Sequence, residues 1–462
     1  MSPASASRAE LATLLRLAVP LAVTQAGQAL MGAVDVAVLG RAGAVPLAAA
    51  GLASALFFGI SVFGMGVMHG LDPLVSQAVG AGDRITARRL VWQGAWLSAA
   101  LSALLALPIM AAPALLRPLG ISPEVAREAE RYLAWRLPTL PFFFVYFAGR
   151  SYLQALGSLR PLVIAVAVAN VANLAGDVLL VFGGAGLPAW TGPLRAVPAM
   201  GVAGAALAST ACSALQAGMV GLAVRTVDCP APWRALARPV RAELALAARV
   251  GIPAGLHMAA EAAFFSLASL LAGRLGTIPL AAHQIALQIA SLSFTAVVGL
   301  GNAGSVRVGL AVGAGDRRAA RRSVVAALAG GAAFMSCSAA FLLLFPDLVA
   351  RAMTDDPVVI SAAIPLLRVA AVFQLSDGLQ GVGAGVLRGA GQTRFTFAAN
   401  MVAYWVVGLP TSLALAFWLG LGVLGLWLGF VVSLPLVAAS LVWRILHVSG
   451  RDIAPLAAHA SG

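Results

Sequence analysis

The hexapeptide VGAGDR at Val79–Arg84 recurs letter for letter at Val312–Arg317, 233 residues further along the chain. The same spacing relates Arg16 to Arg249, Pro20 to Pro253 and Gly40-Arg41 to Gly273-Arg274. One half of the chain is therefore a duplicate of the other. Long duplicated halves that are almost wholly apolar are typical of membrane proteins built from two lobes.

The composition excludes an ordinary globular protein. The chain of 462 residues is 61% hydrophobic and only 10% charged, whereas about a quarter of the residues of a soluble domain are charged. Its net charge of +13 comes from arginines in short gaps between apolar runs, so no nucleic-acid partner is expected. The 3 cysteines form no C-x-x-C pair and predict neither a zinc site nor a disulfide framework.

Apolar runs of about 20 residues predict an all-α integral membrane protein with 12 transmembrane helices. Twelve spans in a duplicated chain give two six-helix lobes, 1–224 and 244–462, which are parallel repeats joined by a polar, proline-rich linker at 225–243. The predicted spans are 14–39, 46–71, 90–112, 132–154, 162–183, 200–224, 244–272, 279–303, 321–345, 359–384, 396–419 and 422–446.

The basic residues predict the orientation of the chain. Most of the arginines, including those around both VGAGDR motifs, lie on the side that carries the N-terminus. The positive-inside rule therefore places both termini in the cytoplasm. The first apolar run is too long for a signal-peptide core and is expected to remain as the first span. In the first half, 13 extra residues fall near 184–198 and predict an external loop without an assigned role.

The repeated motif itself favours a structural interpretation. Gly-Ala-Gly suits a tight turn, and the following Asp can cap the next helix. The alternative is an Asp–Arg latch between the lobes that opens during a conformational cycle. The motif lacks the lysine of a phosphate-binding loop, so no ATPase is predicted.

Four carboxylates fall well inside predicted spans: Asp35, Asp177, Glu261 and Asp377. A charge at that depth is costly and indicates a functional site by default. The repeat offset of 233 maps Asp35 to Ala268 and Glu261 to Gln28, so these acids are not duplicated. We therefore predict ion or substrate handling, with a satisfied buried acid as the alternative.

Polar neighbours extend both sites. Asn173 precedes Asp177 by one helical turn, so its amide oxygen can join the carboxylate in coordinating Na⁺ or sharing a proton. His257 precedes Glu261 in the same way, and Gln284 lies on the following helix. The alternatives are a helix–helix hydrogen bond for Asn173 and an interface role for His257. Pro20 and Pro253 each lie upstream of an acid and predict hinges, because a proline inside a helix removes a backbone hydrogen bond.

With these residues the chain resembles a known family, the multidrug and toxic compound extrusion (MATE) transporters, in the branch of the bacterial norfloxacin exporter. The resemblance spans nearly the whole chain. It depends on Ala18-Val19-Pro20 before Asp35, on PLVSQA at 73–78 leading into GAGD, on Glu261 followed by AAHQ at 281–284, and on Asp377 followed by Leu387-Arg388-Gly389.

The resemblance implies two lobes around a central cleft that alternate between inward-open and outward-open states and export organic cations in exchange for Na⁺ or H⁺. It implies an acid pocket in the first lobe, matched by Asp35, Asn173 and Asp177, and a cation site in the second, matched by Glu261 and Asp377 as Na⁺ ligands. Some relatives carry a tyrosine one turn before the second-lobe Asp, where this chain has Phe373.

Other interpretations remain open. A major-facilitator transporter has a similar layout, but its loop signature needs a glycine where this chain has Thr86. A lipid-linked oligosaccharide flippase of the same superfamily is expected to line its cavity with arginine rather than acids. An enzyme is not expected, because no nucleophile and base are paired. We expect no cofactor beyond the coupling ion, and a monomer in the bacterial cytoplasmic (inner) membrane.

Overall fold

The computed structural model describes residues 3–186, 188–449 and 455–456, and every long regular element in them is a helix. The first half contains eight α-helices, which are α1 (Pro3–Ala42), α2 (Ala44–Met68), α3 (Leu71–Gly80), α4 (Arg84–Ala111), α5 (Pro123–Arg136), α6 (Thr139–Ala155), α7 (Arg160–Phe182) and α8 (Val202–Thr226).

The second half repeats this order. The span Thr393–Trp418 is irregular, because it contains two π-helical segments, Met401–Gly408 and Ala414–Trp418. The helices are α9 (Arg241–Arg274), α10 (Thr277–Gly313), α11 (Arg317–Leu344), α12 (Pro346–Met353), α13 (Pro357–Gly389), α14 (Thr393–Asn400), α15 (Leu409–Leu413) and α16 (Gly422–Ser449).

Eleven helices of the described chain are long and apolar enough to cross a membrane. The exception among the predicted spans is 132–154, where the structure has α5 and α6 instead of one continuous helix. Leu137-Pro138 separates the two, and proline cannot donate the backbone hydrogen bond that would join them. The pieces have 14 and 17 residues, so α5 is too short to span a membrane alone and α6 has the minimum length.

The chain folds into two compact units. The N-terminal unit comprises Val23–Leu71 and Arg84–Ala248, and the C-terminal unit comprises Met1–Ala22, Asp72–Asp83 and Arg249–Gly462. The units therefore do not follow the predicted lobes 1–224 and 244–462 residue for residue, because two segments of the first repeat belong with the second. The lobe boundaries describe the sequence repeat and stay a prediction.

Both predicted hinge prolines lie close to a point at which the chain passes from one unit into the other. Pro20 precedes the division of α1 at Ala22/Val23, and Pro253 follows the division of α9 at Ala248/Arg249. Neither proline ends its helix. Each deprives its helix of one backbone hydrogen bond near the point where the chain changes units, so the hinge remains a prediction with a specific place in the chain.

Glycines explain why Asp72–Asp83 belongs to the C-terminal unit. A Cβ atom at Gly80 would collide with the carbonyl oxygen of Leu310, and a Cβ atom at Gly313 would collide with the carbonyl oxygen of Gln77. The residues Gln77 and Leu310 occupy the same place in the two repeats. Helices α3 and α10 therefore approach backbone to backbone, at a distance that only a residue without a side chain permits.

The rest of the VGAGDR motif forms the predicted turn. Gly82 and Gly315 have φ angles of 80° and 68°, in the left-handed region that glycine adopts without strain. In the second copy the Asp316 carboxylate accepts a hydrogen bond from the Ala319 backbone N–H at 2.9 Å and caps α11. The structural interpretation of the motif is thereby confirmed for this aspartate.

The segment predicted as a linker, 225–243, belongs to the N-terminal unit and is fixed to α4. The side chain of Gln93 donates to the carbonyl of Arg238 at 3.0 Å and accepts from the N–H of Val240 at 2.9 Å. The indole N–H groups of Trp92 and Trp96 donate to two further carbonyls of the same segment. The segment is thus a bound strap of the N-terminal unit.

Candidate functional sites in the two units

The first predicted site forms around Asp35 in the N-terminal unit. Helix α1 carries this carboxylate, which is only 5% exposed. Its Oδ1 accepts a hydrogen bond from the Asn173 amide at 3.0 Å, and its Oδ2 accepts one from the Ser209 hydroxyl at 2.8 Å. Helices α7 and α8 supply these partners. The structure therefore brings the predicted Asp35 and Asn173 together, and adds Ser209.

Asp177 completes this cluster on the same face of α7 as Asn173. It is fully buried and close enough to Asp35 for the two carboxyl groups to interact electrostatically. Within the described part of the chain no amide, hydroxyl or guanidinium group donates to its oxygens, and its polar neighbour is the Asp35 carboxyl. An unpaired carboxylate in such a place is costly, so the position suits an acid that exchanges a cation.

Sequence reasoning missed the basic member of the cluster, Arg136. Its Nη1 group lies 3.3 Å from Asp35 Oδ2 and donates to the Tyr132 hydroxyl at 2.6 Å and the Ser209 hydroxyl at 3.0 Å. The guanidinium also lies over the Phe57 ring, 5.3 Å from its centroid. Arg136 could have been found from the sequence, because it lies inside the predicted span 132–154. A permanently charged arginine inside a span indicates a functional site, as an acid does.

The second predicted site lies in the C-terminal unit around Glu261 on α9. His257 Nε2 lies 3.6 Å from Glu261 Oε2, as the spacing of one helical turn predicted. The Gln380 amide of α13 donates to Glu261 Oε1 at 3.3 Å. Asp377, one turn before Gln380, is close enough to Glu261 for the two carboxyl groups to interact electrostatically. The structure therefore brings His257, Glu261 and Asp377 into one group.

Three neutral oxygens surround this group and were not predicted. The side-chain oxygens of Gln380, Asn400 and Tyr404 are buried. The Tyr404 hydroxyl lies within hydrogen-bonding reach of Glu261, and Asn400 lies within reach of His257, whereas the Gln380 oxygen has no partner among the described residues. Neutral oxygens around two carboxylates are ligands that suit a hard cation.

The side chain of Gln284, also predicted for this site, is exposed, whereas Glu261 is half-buried and Asp377 is buried. The neighbouring His283 is fully buried, accepts a hydrogen bond from the Trp427 indole at 3.0 Å and contacts the Ser269 hydroxyl at 2.9 Å. The neutral ring with its proton on Nε2 satisfies both partners. This histidine therefore has a packing role, which the stacking of Trp427 on Phe373 extends.

No cluster of three or more His, Cys, Asp or Glu side chains with metal-binding geometry occurs in the parts of the chain that the structure describes. The group around Glu261 contains two carboxylates, several neutral oxygens and the ring of His257. Oxygen ligands outnumber the single nitrogen in this set, and oxygen ligands suit hard cations.

Comparison with known proteins agrees with the internal repeat. A family model described as MatE matches the chain twice, at residues 20–179 and 253–413. A probable multidrug resistance protein NorM of Rhizobium meliloti is 36% identical over 456 residues, which cover 96% of this chain and 95% of that protein. The multidrug resistance protein NorM of Burkholderia vietnamiensis is 35% identical over 469 residues, 98% of this chain and 97% of its own.

Solved structures with lower sequence identity share the fold. The crystal structure of the eukaryotic MATE transporter AtDTX14 superposes with a TM-score of 0.83 at 21% identity and covers 98% of both chains. A transporter of the MOP superfamily from Pyrococcus furiosus, whose binding pocket is described as having reverse polarity, superposes with a TM-score of 0.83 at 21% identity and covers 96% of both chains.

Proposed function

The chain belongs to the MatE family, and we propose that it is a secondary active multidrug efflux antiporter that exports organic, mostly cationic compounds in exchange for Na⁺ or H⁺. The family resemblance inferred from the sequence is thereby confirmed, and the chain is a NorM-like multidrug resistance transporter with a multi-pass membrane fold. Antiport, the coupling ion and the charge of the substrates are the proposal.

One observation carries the proposal: each unit contains its own close pair of carboxyl groups inside the membrane-spanning helices. In the N-terminal unit the pair is Asp35 and Asp177, and in the C-terminal unit it is Glu261 and Asp377. Two acids that close together are most stable when a proton, a metal ion or an organic cation reduces their charge. Two such places in one membrane protein suit the exchange of one cation for another.

The exchange follows from linkage. Binding of Na⁺ or H⁺ cancels the negative charge that attracts a cationic substrate, so that the ion and the substrate favour different states of the transporter. A conformational change is then driven by the difference in ion affinity between those states. Pro20 and Pro253, near the two passages between units, are proposed as the hinges at which α1 and α9 bend.

The oxygens around Glu261 support Na⁺ as the ion of the C-terminal unit. Glu261 and Asp377 supply charge, and Gln380, Asn400 and Tyr404 supply neutral oxygens. The hydroxyl of Tyr404 compensates for the oxygen that Phe373 lacks. The pair in the N-terminal unit has few free neutral oxygens, because Ser209 and Asn173 already bind Asp35, so we assign H⁺ exchange to that unit.

The decisive experiment measures ethidium efflux from proteoliposomes under an imposed Na⁺ gradient and, separately, under an imposed pH gradient. We expect at least one gradient to drive efflux, and single neutralisation by Asp35→Asn, Glu261→Gln or Asp377→Asn to reduce it. Efflux that depends on neither gradient and is unchanged by all three substitutions contradicts antiport. Neutralising the exposed Asp356, which caps α13, by Asp356→Asn provides a control with an unchanged membrane interior.

The flippase alternative predicts a cavity dominated by arginine. The N-terminal unit has one arginine against two carboxylates in its cluster, so the cluster remains acidic when both acids are ionised. The major-facilitator alternative does not survive the family assignment. We further propose that the protein is a monomer in the bacterial inner membrane with both termini in the cytoplasm, as the arginine distribution predicts.

A further inference from the structure

A cavity in the C-terminal unit lies where four membrane-spanning helices have their ends on one side. Its volume is about 630 Å³, and the last turns of α10, α13 and α16 enclose it together with the first two turns of α11. Buried aliphatic side chains form its floor, among them Val312, Val324 and Ile445. The cavity is therefore an apolar space at the depth where the hydrocarbon core of a membrane borders the lipid headgroups.

The charged residues that line this cavity are exposed and mostly basic. Arg317 and Arg321 lie one helical turn apart at the start of α11, where Asp316 is the capping residue. The Asp316 carboxylate accepts a hydrogen bond from the Ala319 backbone N–H, whereas Arg321 has no ion pair or hydrogen bond within the described part of the chain. Two arginines and one capping aspartate give the mouth of the cavity a net positive charge, which suits an anionic group.

The first repeat shows what fills the corresponding place in the N-terminal unit. Arg88 takes the place of Arg321 there. It is buried and donates to the carbonyl oxygens of Val224 and Arg225 at 2.7 and 3.0 Å. Its guanidinium also lies over the Trp233 ring of the strap, 5.3 Å from the ring centroid. In the first repeat, the strap therefore covers this arginine.

The second repeat lacks the residues that hold a strap. Trp92 and Gln93, which bind the strap in the N-terminal unit, correspond to Val325 and Ala326. Neither of these side chains has a polar group, and Arg321 is exposed where Arg88 is buried. The place is thus open and apolar with a basic mouth. Its complement is a molecule with an apolar chain below an anionic group.

We propose that this cavity is a binding site for one anionic diacyl phospholipid of the surrounding membrane. The lipid phosphate contacts Arg321 and Arg317, and one acyl chain lies on the aliphatic floor. Basic pockets between transmembrane helices bind anionic lipid headgroups, and each methylene group that the floor buries adds to the affinity. The inference goes beyond the proposed transport function and does not depend on it.

The test measures lipid binding to the purified full-length protein by native mass spectrometry in detergent. Phosphatidylglycerol is the anionic probe, and phosphatidylcholine with the same acyl chains has no net charge. We expect phosphatidylglycerol to bind at least about fivefold more tightly. Dihexanoyl phosphatidylglycerol and glycerol phosphate should bind more weakly than the long-chain lipid, because they leave much of the floor uncovered. Equal affinities for the two long-chain lipids overturn the proposal, as does glycerol phosphate that binds as tightly as phosphatidylglycerol.

Three variants separate this cavity from general surface charge. Arg321→Gln should reduce the preference for phosphatidylglycerol by about fivefold. The matched control is Arg318→Gln, which removes an exposed arginine of the same helical turn that does not line the cavity and should leave the preference unchanged. Ala390→Leu narrows the cavity without changing its charge and should weaken binding of the long-chain lipid. Leucine already stands at the corresponding position of the first repeat, Leu156.

Equal losses in Arg321→Gln and Arg318→Gln would indicate attraction by surface charge alone and overturn the proposal. If Ala390→Leu does not fold, the chain-length comparison on the unmodified protein tests the cavity, and equal affinities for the long-chain and dihexanoyl lipids overturn it. If the C-terminal residues 450–462 fill the cavity instead, phosphatidylglycerol would bind only after their removal, which also overturns it. Lipid binding needs no ion gradient, so its outcome is independent of the efflux experiment.

Discussion

The amide of Asn173 holds Asp35 at 3.0 Å, while Asp177, one turn further along the same helix, lies against the Asp35 carboxyl and receives no amide, hydroxyl or guanidinium group from the described residues. The two acids of the N-terminal unit are therefore unequal. Asp35 is bound by an amide, a hydroxyl and a guanidinium, so it is part of the structure. Asp177 is buried beside a second acid, so it is the acid most easily given a new partner.

This inequality predicts opposite effects of neutralising the two acids. Asp35→Asn removes the ion partner of Arg136 and should lower the free energy of unfolding by about 2 kcal/mol or more. Asp177→Asn removes the repulsion between two neighbouring carboxyl groups and provides an amide that can donate to Asp35, so it should keep or raise the melting temperature while abolishing proton-driven efflux. Thermal unfolding of both purified variants, followed by tryptophan fluorescence, measures the difference. A larger loss of stability in Asp177→Asn than in Asp35→Asn contradicts this assignment.

In the C-terminal unit, Tyr404→Phe should weaken Na⁺ binding. The substitution removes one buried hydroxyl beside Glu261 and keeps the ring that stacks on Phe264 at 4.9 Å. We expect the apparent Na⁺ affinity to fall by about tenfold. The measurement is the melting temperature as NaCl replaces KCl at constant ionic strength. The control is Tyr152→Phe in the N-terminal unit, which should leave the Na⁺ dependence intact.

The close crossing of α3 and α10 predicts that Gly80→Ala and Gly313→Ala are both destabilising. Each added methyl group would collide with backbone of the other helix, which cannot rotate away as a side chain can. A loss of about 1–3 kcal/mol is expected for each. Gly59→Ala is the matched control, because a Cβ atom at this helical glycine meets nothing within 4 Å. Equal melting temperatures for the three variants would contradict the close approach of the α3 and α10 backbones.

The strap 225–243 should come loose when Gln93 is replaced by leucine. This change removes the hydrogen bonds to Arg238 and Val240, so the backbone around the exposed Arg234 and Arg238 should become mobile enough to enter the active site of trypsin. Limited proteolysis of the membrane-embedded protein should cut the variant faster within this segment. Ser98→Ala serves as the control, because Ser98 bonds to the Pro141 carbonyl on α6 and not to the strap. Cleavage at the rate of the unmodified protein would show that the tryptophan contacts alone hold the strap.

Bending at the hinges should depend on Pro20. Pro20→Ala restores a backbone N–H inside α1 and should stiffen the helix. We expect a higher melting temperature and slower efflux, with dye binding at equilibrium little changed. Comparing efflux rates with equilibrium affinities separates a loss of motion from a loss of binding. A variant that transports at the normal rate argues against a hinge at this position.

The features that could be predicted from the sequence are those encoded in local patterns. The turn glycines, the apolar spans and the acids inside them each depend on residues near one another in the chain, and the repeat is found by comparing the two halves of the sequence directly. Pro138 shows the limit of such patterns, because a continuous apolar run concealed two helices.

Partners that are distant in sequence could not be predicted. Arg136 meets Asp35 across 101 residues, and Gln380 meets Glu261 across 119. The exposure of Gln284 has a related reason. Adjacent residues on a helix point about 100° apart, so the burial of His283 turns Gln284 outward. Tertiary packing decides which polar residue of a run faces a site.

The crossing of α3 and α10 also bears on how such a chain could arise. Gly80 contacts Leu310, and Gly313 contacts Gln77. Leu310 is the residue of the second repeat that corresponds to Gln77 of the first. Residue i of one copy contacts residue j of the other, and j contacts i, which is the definition of an isologous contact between identical subunits. The joint inside the C-terminal unit therefore has the form of a two-fold homodimer interface. A single six-helix ancestor could have paired with itself there, and gene fusion then freed each copy to acquire its own acids.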